Sequence, residues 1–279
     1  MSFSDQLFIG TLGLVPKKTL SHAVRGLARI PAKSAVRVFA STFDIDVAEA
    51  ERGIEEYSSI LQFFTRRLKP GARPLDEDPS SVLSPADGTF DAHGLIEEGR
   101  LFQAKGREYT LGALLADPER AARYEGGRYA TVYLSPRDYH WVHCPADAKV
   151  VGATYVPGQL WPVNRPSVRV VDQLFAKNER LITHLETERF GAMELVMVGA
   201  TCVGHIRTTY DDSLVTNAGA TEITKRTYDP TRDLKRGEPL GVFEFGSTVV
   251  LIAERGVELD ELEDGAPIRV GKSIAHGRV

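Results

Sequence analysis

From about residue 128 onward the chain carries runs of β-branched and aromatic residues cut by turn residues. The runs are "RYATVYLSP" (128–136), "HWVHCPADAKVVGATYV" (140–156), "MELVMVGATCVGHI" (193–206) and "EFGSTVVLIAE" (244–254). Short apolar runs of this kind, bounded by Gly, Pro and Asp, read as strands. Only 111–124 and 171–180 hint at short helices. Strands that follow one another with few helices between them favour antiparallel pairing and face-to-face sheet packing. The expected body is therefore a mainly antiparallel β-sandwich.

The first 65 residues read differently. Leu20, Val24 and Leu27 recur at helical spacing, with Arg25 and Arg29 off that line, and Val36, Phe39 and Phe43 follow after Pro31. Asp46 with Glu49 three residues on has the spacing of a capping box. The stretch "RRLKPGARPLDEDPSSVLSPADG" (66–88) is rich in Pro, Gly and charge and reads as a connection. The fold class expected is thus α+β, with a helical segment over 1–65 and a β-rich catalytic domain over 66–279.

Charge is spread unevenly. The chain is −4 overall, yet residues 1–43 hold Lys17, Lys18, Arg25, Arg29, Lys33 and Arg37 against Asp5 alone. A basic amphipathic segment is the kind that lies in a membrane interface and meets anionic lipid. The ordinary alternative is a helical subdomain packed on its own core. No run approaches the ~18–20 apolar residues of a membrane span, and the start lacks the pattern of a cleaved leader. Cys144 and Cys202 suggest no disulfide framework and fit a reducing compartment. The acidic balance argues against a general nucleic-acid binder.

Three places hold residues suited to chemistry. Asp87 stands in "SPADG", where a turn aspartate is the plain reading. His140 and His143 flank Trp141-Val142; in a strand they face opposite sides, and in a turn both converge. Two histidines are a weak metal signal, and no metal is assigned. The third place is Gly246-Ser247-Thr248, inside a run that otherwise reads as a buried strand, where glycine marks a bulge or close approach. An Asp, a His and a Ser are the parts of an activated hydroxyl. This serine lacks the G-x-S-x-G elbow that presents a nucleophile to external substrate. Its hydroxyl is always near the carbonyl of its own preceding residue, and Gly246 has no Cβ to block attack. Self-attack gives an ester by an N-to-O acyl shift.

The chain resembles the bacterial, pyruvoyl-dependent phosphatidylserine decarboxylases. The resemblance runs through "FFTRRLKPGARPLD" (63–76), "LSPADG" (83–88), "FQAKGREYTLGALL" (102–115), "YLSPRDYHWVHCPADAKV" (133–150), "YVPGQLWPVN" (155–164), "LFAKNERLI" (174–182), "LVMVGATCVGHI" (195–206) and "RGEPLGVFEFGSTVVLI" (236–252). The family cleaves itself at a Leu-Gly-Ser-Thr motif; here Phe245 takes the first place. The resemblance implies scission between Gly246 and Ser247, giving a β chain 1–246 and an α chain 247–279 that begins with a pyruvoyl group made from Ser247. Asp87 and His143 map onto the self-cleavage positions, His143 as base and Asp87 as its orienter. His140 maps onto the proton donor of the decarboxylation, in which the pyruvoyl ketone forms a Schiff base with phosphatidylserine and releases carbon dioxide and phosphatidylethanolamine. Imidazole suits that role because its ordinary pKa lies near working pH. Tyr139, Gln159 and Asn164 are expected near the headgroup. The implied partners are phosphatidylserine, an anionic membrane surface and the other fragment of the cut chain, with further self-association. The implied place is the cytoplasmic face of the bacterial inner membrane, as a peripheral protein. The rival readings are an Asp-His-Ser hydrolase of an external ester, a zinc hydrolase, a non-enzymatic scaffold and a pyruvoyl decarboxylase of a soluble amino acid.

Overall fold

A computed structural model of the chain describes residues 16–104, 107–201, 205–217, 219–245 and 247–277. The reading of residues 1–15 therefore lies outside the described residues, as do Cys202 and Gly246. The architecture is α+β and mainly antiparallel, with few helices. The strands are numbered in chain order. The largest sheet runs β11 (Thr224–Leu234), β7 (Ala148–Val156), β8 (Arg180–Thr187), β9 (Gly191–Val198), β13 (Ser247–Ala253), β5 (Arg128–Leu134), β2 (Gly88–Leu95) and β15 (Pro267–Ile268). A second sheet orders β1 (Ser81–Leu83), β16 (Ser273–Gly277) and β14 (Val257–Leu259), and a third orders β10 (Ile206–Thr208), β12 (Pro239–Phe243) and β6 (Trp141–His143). A hairpin of β3 (Arg100–Ala104) and β4 (Arg107–Thr110) completes the set.

Burial follows place in the sheet. All residues of β13 are buried, and β13 pairs with β5 on one side and β9 on the other. Its unbroken apolar run fits a strand covered on both faces. At the sheet edge, β11 carries "TKRTYDPTRDL" and is mostly exposed or half-buried. Charges and a proline blunt an edge that would otherwise offer unpaired backbone groups.

One expectation is corrected here. The run 242–252 reads as one strand in the sequence, but it is two strands in two sheets. β12 ends at Phe243 and pairs with β10 and β6, while β13 starts at Ser247 in the large sheet. Both halves are apolar, so periodicity has no way to register that the chain changes partners between them. Ser247 is thus the first residue of a strand, not a mid-strand residue.

Helices Lys17–Ala28 and Lys33–Thr42 lie where the helical spacing placed them. Asp46 does cap, accepting from the Ala48 N–H at 2.9 Å, but it starts a single 3-10 turn, Val47–Glu49. Glu49 does not fold back to complete the box. It pairs with Arg73 and Arg269 at 2.8 and 2.9 Å. Val36, Ala40, Ile45, Tyr57 and Phe63 form a small apolar core of their own, apart from the large one in the sheets.

Candidate active site

The "SPADG" turn and the "HWVHCP" strand are laced together by backbone. The His143 N–H donates to the Pro85 carbonyl at 2.7 Å and the Leu83 N–H to Pro145 at 2.9 Å. Gly88 follows Asp87 because β2 presses on β5 there: a Cβ would lie 2.2 Å from the Tyr133 carbonyl oxygen. Asp87 is buried and its carboxylate is fully engaged. Arg73 donates to it from Nε at 3.0 and 2.9 Å and from Nη2 at 2.5 Å, and the Val270 N–H adds a bond at 2.8 Å.

His143 is oriented by a different group from the one expected. Its Nδ1 lies 2.7 Å from the Gly237 carbonyl, which only accepts, so Nδ1 carries the proton and Nε2 the lone pair. The Tyr139 hydroxyl stands 3.3 Å from Nε2. Gly237 has φ +77°, and a Cβ there would fall 2.5 Å from a Leu75 methyl, so glycine is needed to aim this carbonyl. Asp87 holds no hydrogen bond to His143, because Arg73 and Val270 take its oxygens. Its charge still reaches the ring: burial lowers the His143 pKa, the Gly237 bond and Asp87 raise it, and Arg67 and Arg73 lower it.

His140 is wholly buried. Its Nδ1 donates to the Asp138 carbonyl at 2.8 Å and its Nε2 has no partner among the described residues. Its ring packs 3.9 Å from the Phe64 ring, and Phe64 lies 4.8 Å from Phe245, centroid to centroid. The Phe243 N–H donates to the His140 carbonyl at 3.1 Å. Burial, then the Arg66 charge, pushes the His140 pKa down to about 3. The pKa near working pH that favoured His140 as donor is therefore not the one this interior gives. As it stands the ring is neutral, with a free lone pair aimed into the protein.

Ser247 is also wholly buried, and its Oγ has no partner among the described residues, as is the case for Thr248 Oγ1. An orphaned hydroxyl in an apolar interior costs free energy, on the order of 1–3 kcal/mol, that folding alone does not require. Asn164 caps the helix Arg165–Val170 through Ser167 and lines an apolar pocket of about 300 Å³ with Phe64, Phe245, Tyr133 and the helical residues Val24 and Phe39. Gln159 is not part of this pocket. It bonds the Trp161 indole and faces a separate concavity with Lys17 and Lys18.

The sequence reading missed Arg73, Arg66, Phe64 and Glu244. The first three stand in "FFTRRLKPGARPLD", which was singled out without roles. Glu244 is buried two residues before Gly246 and pairs with Arg25 at 2.5 Å and Arg207 at 3.2 Å.

A wholly buried imidazole, a partly buried one and a buried serine hydroxyl with no partner among the described residues suit an enzyme interior better than a binding scaffold. The comparisons with known proteins say which kind. The family model for phosphatidylserine decarboxylase matches residues 60–276. The phosphatidylserine decarboxylase proenzyme of Anaeromyxobacter sp. (strain K) is 46% identical, over 97% of this chain and 98% of its own. Those of Myxococcus xanthus and Brevibacillus brevis are 42% and 39% identical, covering 97% and 98% of this chain and 98% and 96% of theirs. The chain belongs to the phosphatidylserine decarboxylase family and is an enzyme of the carboxy-lyase class.

Proposed function

We propose that the chain matures by cutting itself between Gly246 and Ser247 and then decarboxylates phosphatidylserine to phosphatidylethanolamine. The observation that carries this is the buried, unpartnered Oγ of Ser247 at the point where the chain leaves one sheet for another. Such a hydroxyl has one electrophile within constant reach, the carbonyl of the residue before it. A base takes the Oγ proton, oxygen bonds to the Gly246 carbon, and the peptide C–N bond breaks as the nitrogen is protonated. Elimination from the resulting ester releases the β chain 1–246 as a carboxylate and leaves a dehydroalanine at 247, which one water hydrolyses to the pyruvoyl group with loss of ammonia. A buried serine hydroxyl with no partner among the described residues, and a neutral His140 ring packed through Phe64 to Phe245, fit that group. The pyruvoyl supplies a ketone that engages the substrate amine and accepts the electron pair left by carbon dioxide.

His143 is the base of scission in this reading. Gly237 orients it, and Asp87, clamped by Arg73, acts on it through charge. His140 takes up on Nε2 the proton that the substrate ammonium sheds before its amine engages the ketone, and gives it to the carbon that loses carbon dioxide. A second reading is favoured by the free Nε2 of His140 and its stack through Phe64 to Phe245: His140 takes the Ser247 proton itself. The fragment 247–279 needs no peptide link to stay in place. It supplies β13 at the centre of the large sheet and β14, β15 and β16 beyond it.

The helical segment 1–65 is the membrane-facing part and 66–279 the catalytic domain. Leu27, Ile30, Val38 and Phe43 are exposed by 68, 55, 65 and 38%, near Arg29 and Lys33. Apolar insertion together with ~1 kcal/mol per basic residue suits a peripheral attachment to an anionic leaflet, at the cytoplasmic face of the inner membrane. Among the described residues no helix is long and apolar enough to cross a membrane. The Asn164 pocket, between these helices and Phe245, is where the lipid enters.

Intact mass spectrometry of the purified protein beside Ser247→Ala tests the reading. Two chains from the wild type, a blocked fragment 247–279 and an uncut variant are expected. A single uncut wild-type chain under all conditions overturns it. Failure of His140→Ala to cut, with His143→Ala cutting, selects the second reading.

A further inference from the structure

Arg66 lies two residues beyond Phe64 and is 4% exposed. Its Nη2 donates to the carbonyls of Arg137 and Asp138 at 3.1 and 3.4 Å. Its Nε and Nη1 are buried with no partner among the described residues. Asp87 and Glu49, the carboxylates whose charge reaches it, are both committed to Arg73. A buried guanidinium without an anion is costly, and folds rarely keep one that does nothing.

Its neighbours are short of partners too. The Asp138 carbonyl that accepts from Arg66 also accepts from His140 Nδ1, so guanidinium and imidazole meet at one oxygen. Both Arg66 and Tyr57 pack on the Phe63 ring, and the Tyr57 hydroxyl and His140 Nε2 are buried and unpartnered. The unfilled hydrogen-bonding capacity of this region therefore gathers around one cation.

We propose that Arg66 binds the phosphodiester oxyanion of the lipid headgroup in the mature enzyme. This rests on the self-cleaving decarboxylase reading above. The substrate brings two anions, and the chemistry chooses between them. The carboxylate surrenders its charge as carbon dioxide leaves. A cation seated on it stabilises the ground state more than the transition state and slows the reaction. The phosphodiester keeps its charge from substrate to product, so a cation there holds the lipid without resisting the step. Only one carbon and one oxygen separate the serine Cα from phosphorus. A headgroup whose reacting carbon faces His140 therefore brings its phosphate into the same neighbourhood, where Arg66 waits. Arg66 and Ser247 are sealed alike in the uncut chain. Phe245 covers Phe64 and Phe64 covers His140, and scission frees the end of the chain that carries Phe245.

The test uses matured wild type, Arg66→Gln and Arg66→Lys, each first checked by mass for the fragment 247–279. Turnover is measured on soluble dihexanoyl phosphatidylserine, with dihexanoyl phosphatidylethanolamine as competitor, since the latter keeps the phosphodiester and lacks the carboxylate. For Arg66→Gln, KM rises about tenfold or more with kcat changed less than about threefold, and the competitor weakens by a similar factor. Arg66→Lys recovers part of both. A KM increase with undiminished competitor binding assigns Arg66 to the carboxylate and overturns the proposal. An unchanged KM with a lowered kcat and a displaced pH profile makes Arg66 a positioning residue for His140 and also overturns it. So does failure of both variants to mature while wild type cuts. Wild type that neither cuts nor turns over lipid fails at the underlying reading instead, which its mass spectrum reveals directly.

Discussion

Around Ser247 the apolar side chains turn inward and leave polar atoms stranded among them; over residues 17–43 apolar side chains stand out in solvent beside cations. The first region spends stability on buried atoms with no partner among the described residues: Ser247 Oγ, His140 Nε2, and Arg66 Nε and Nη1. The second leaves Leu27 and Val38 mostly exposed although a small core lies close by. Neither arrangement is what folding alone selects, and they depart from it in opposite directions. A reaction through a neutral imidazole requires bulk water to be limited, with entry only for the molecules that hydrolysis consumes. Contact with a lipid surface requires apolar groups to be left out. The two regions meet at Arg25 and Glu244, where a basic residue of helix Lys17–Ala28 grips a carboxylate two residues ahead of Gly246 in the sequence.

The largest effect is expected where the interior depends on one ion pair. Arg73→Met leaves Asp87 buried against Val270 alone, and loss of one partner of such a pair costs about 3–5 kcal/mol. Chemical denaturation of the uncut Ser247→Ala background isolates this from maturation. A loss under about 1 kcal/mol would mean that water replaces Arg73 and that the interior is not sealed. Next comes acid. Burial holds His140 near pKa 3 against an ordinary 6.5. The unfolded chain therefore binds a proton there that the folded chain refuses, so this group removes stability as pH falls from 6.5 toward 3. His140→Gln should flatten the fall of the urea midpoint over that window. An equally steep fall in the variant would assign the acid sensitivity elsewhere.

Much of this was legible in the sequence. The strand runs and the helical start follow from local pattern, and Asp87, His143 and Ser247 stand out by residue type and by the resemblance, while no local pattern says how they sit relative to one another. What stayed hidden depends on distant partners. Glycine at 237 looks like any turn glycine, yet it aims a carbonyl at a histidine 94 residues away. Asp87 and His143 have the chemistry of an orienter and a base, but a sequence does not show that Arg73 has already taken the carboxylate. The break at 244–246 was hidden because both flanks are apolar, and apolarity reports burial without naming the neighbour. The resemblance puts His140 in the donor role, and no sequence pattern shows that burial lowers its pKa to about 3.

A smaller effect tests the joint between the regions. Burial raises the Glu244 pKa, and the Arg25 bond and charge more than offset it, so the folded value lies below the ordinary one. The pair then contributes stability above the ordinary carboxylate range, and the contribution is lost as pH falls through the depressed value. Arg25→Ala should cost about 1–2 kcal/mol at neutral pH, since Arg207 remains as a longer-range partner, and the gap from wild type should narrow below about pH 4. A gap that persists at low pH would mean that helix packing, not charge, joins the two regions.

The smallest effect on folding should accompany a large one on attachment. Leu27→Ser with Val38→Ser removes two side chains that the folded protein already exposes, so stability should move by less than about 0.5 kcal/mol. If these residues enter a membrane, each returns about 1.5–3 kcal/mol of apolar transfer on insertion, and losing both weakens binding by at least about tenfold. Sedimentation with vesicles containing anionic lipid measures this, and the melting curve serves as the control. Binding unchanged in the double variant would leave those side chains without a lipid partner. A stability loss matching the binding loss would place them in the small core after all. Only a loss of binding without a loss of folding keeps the contrast between the sealed chamber and the open helices.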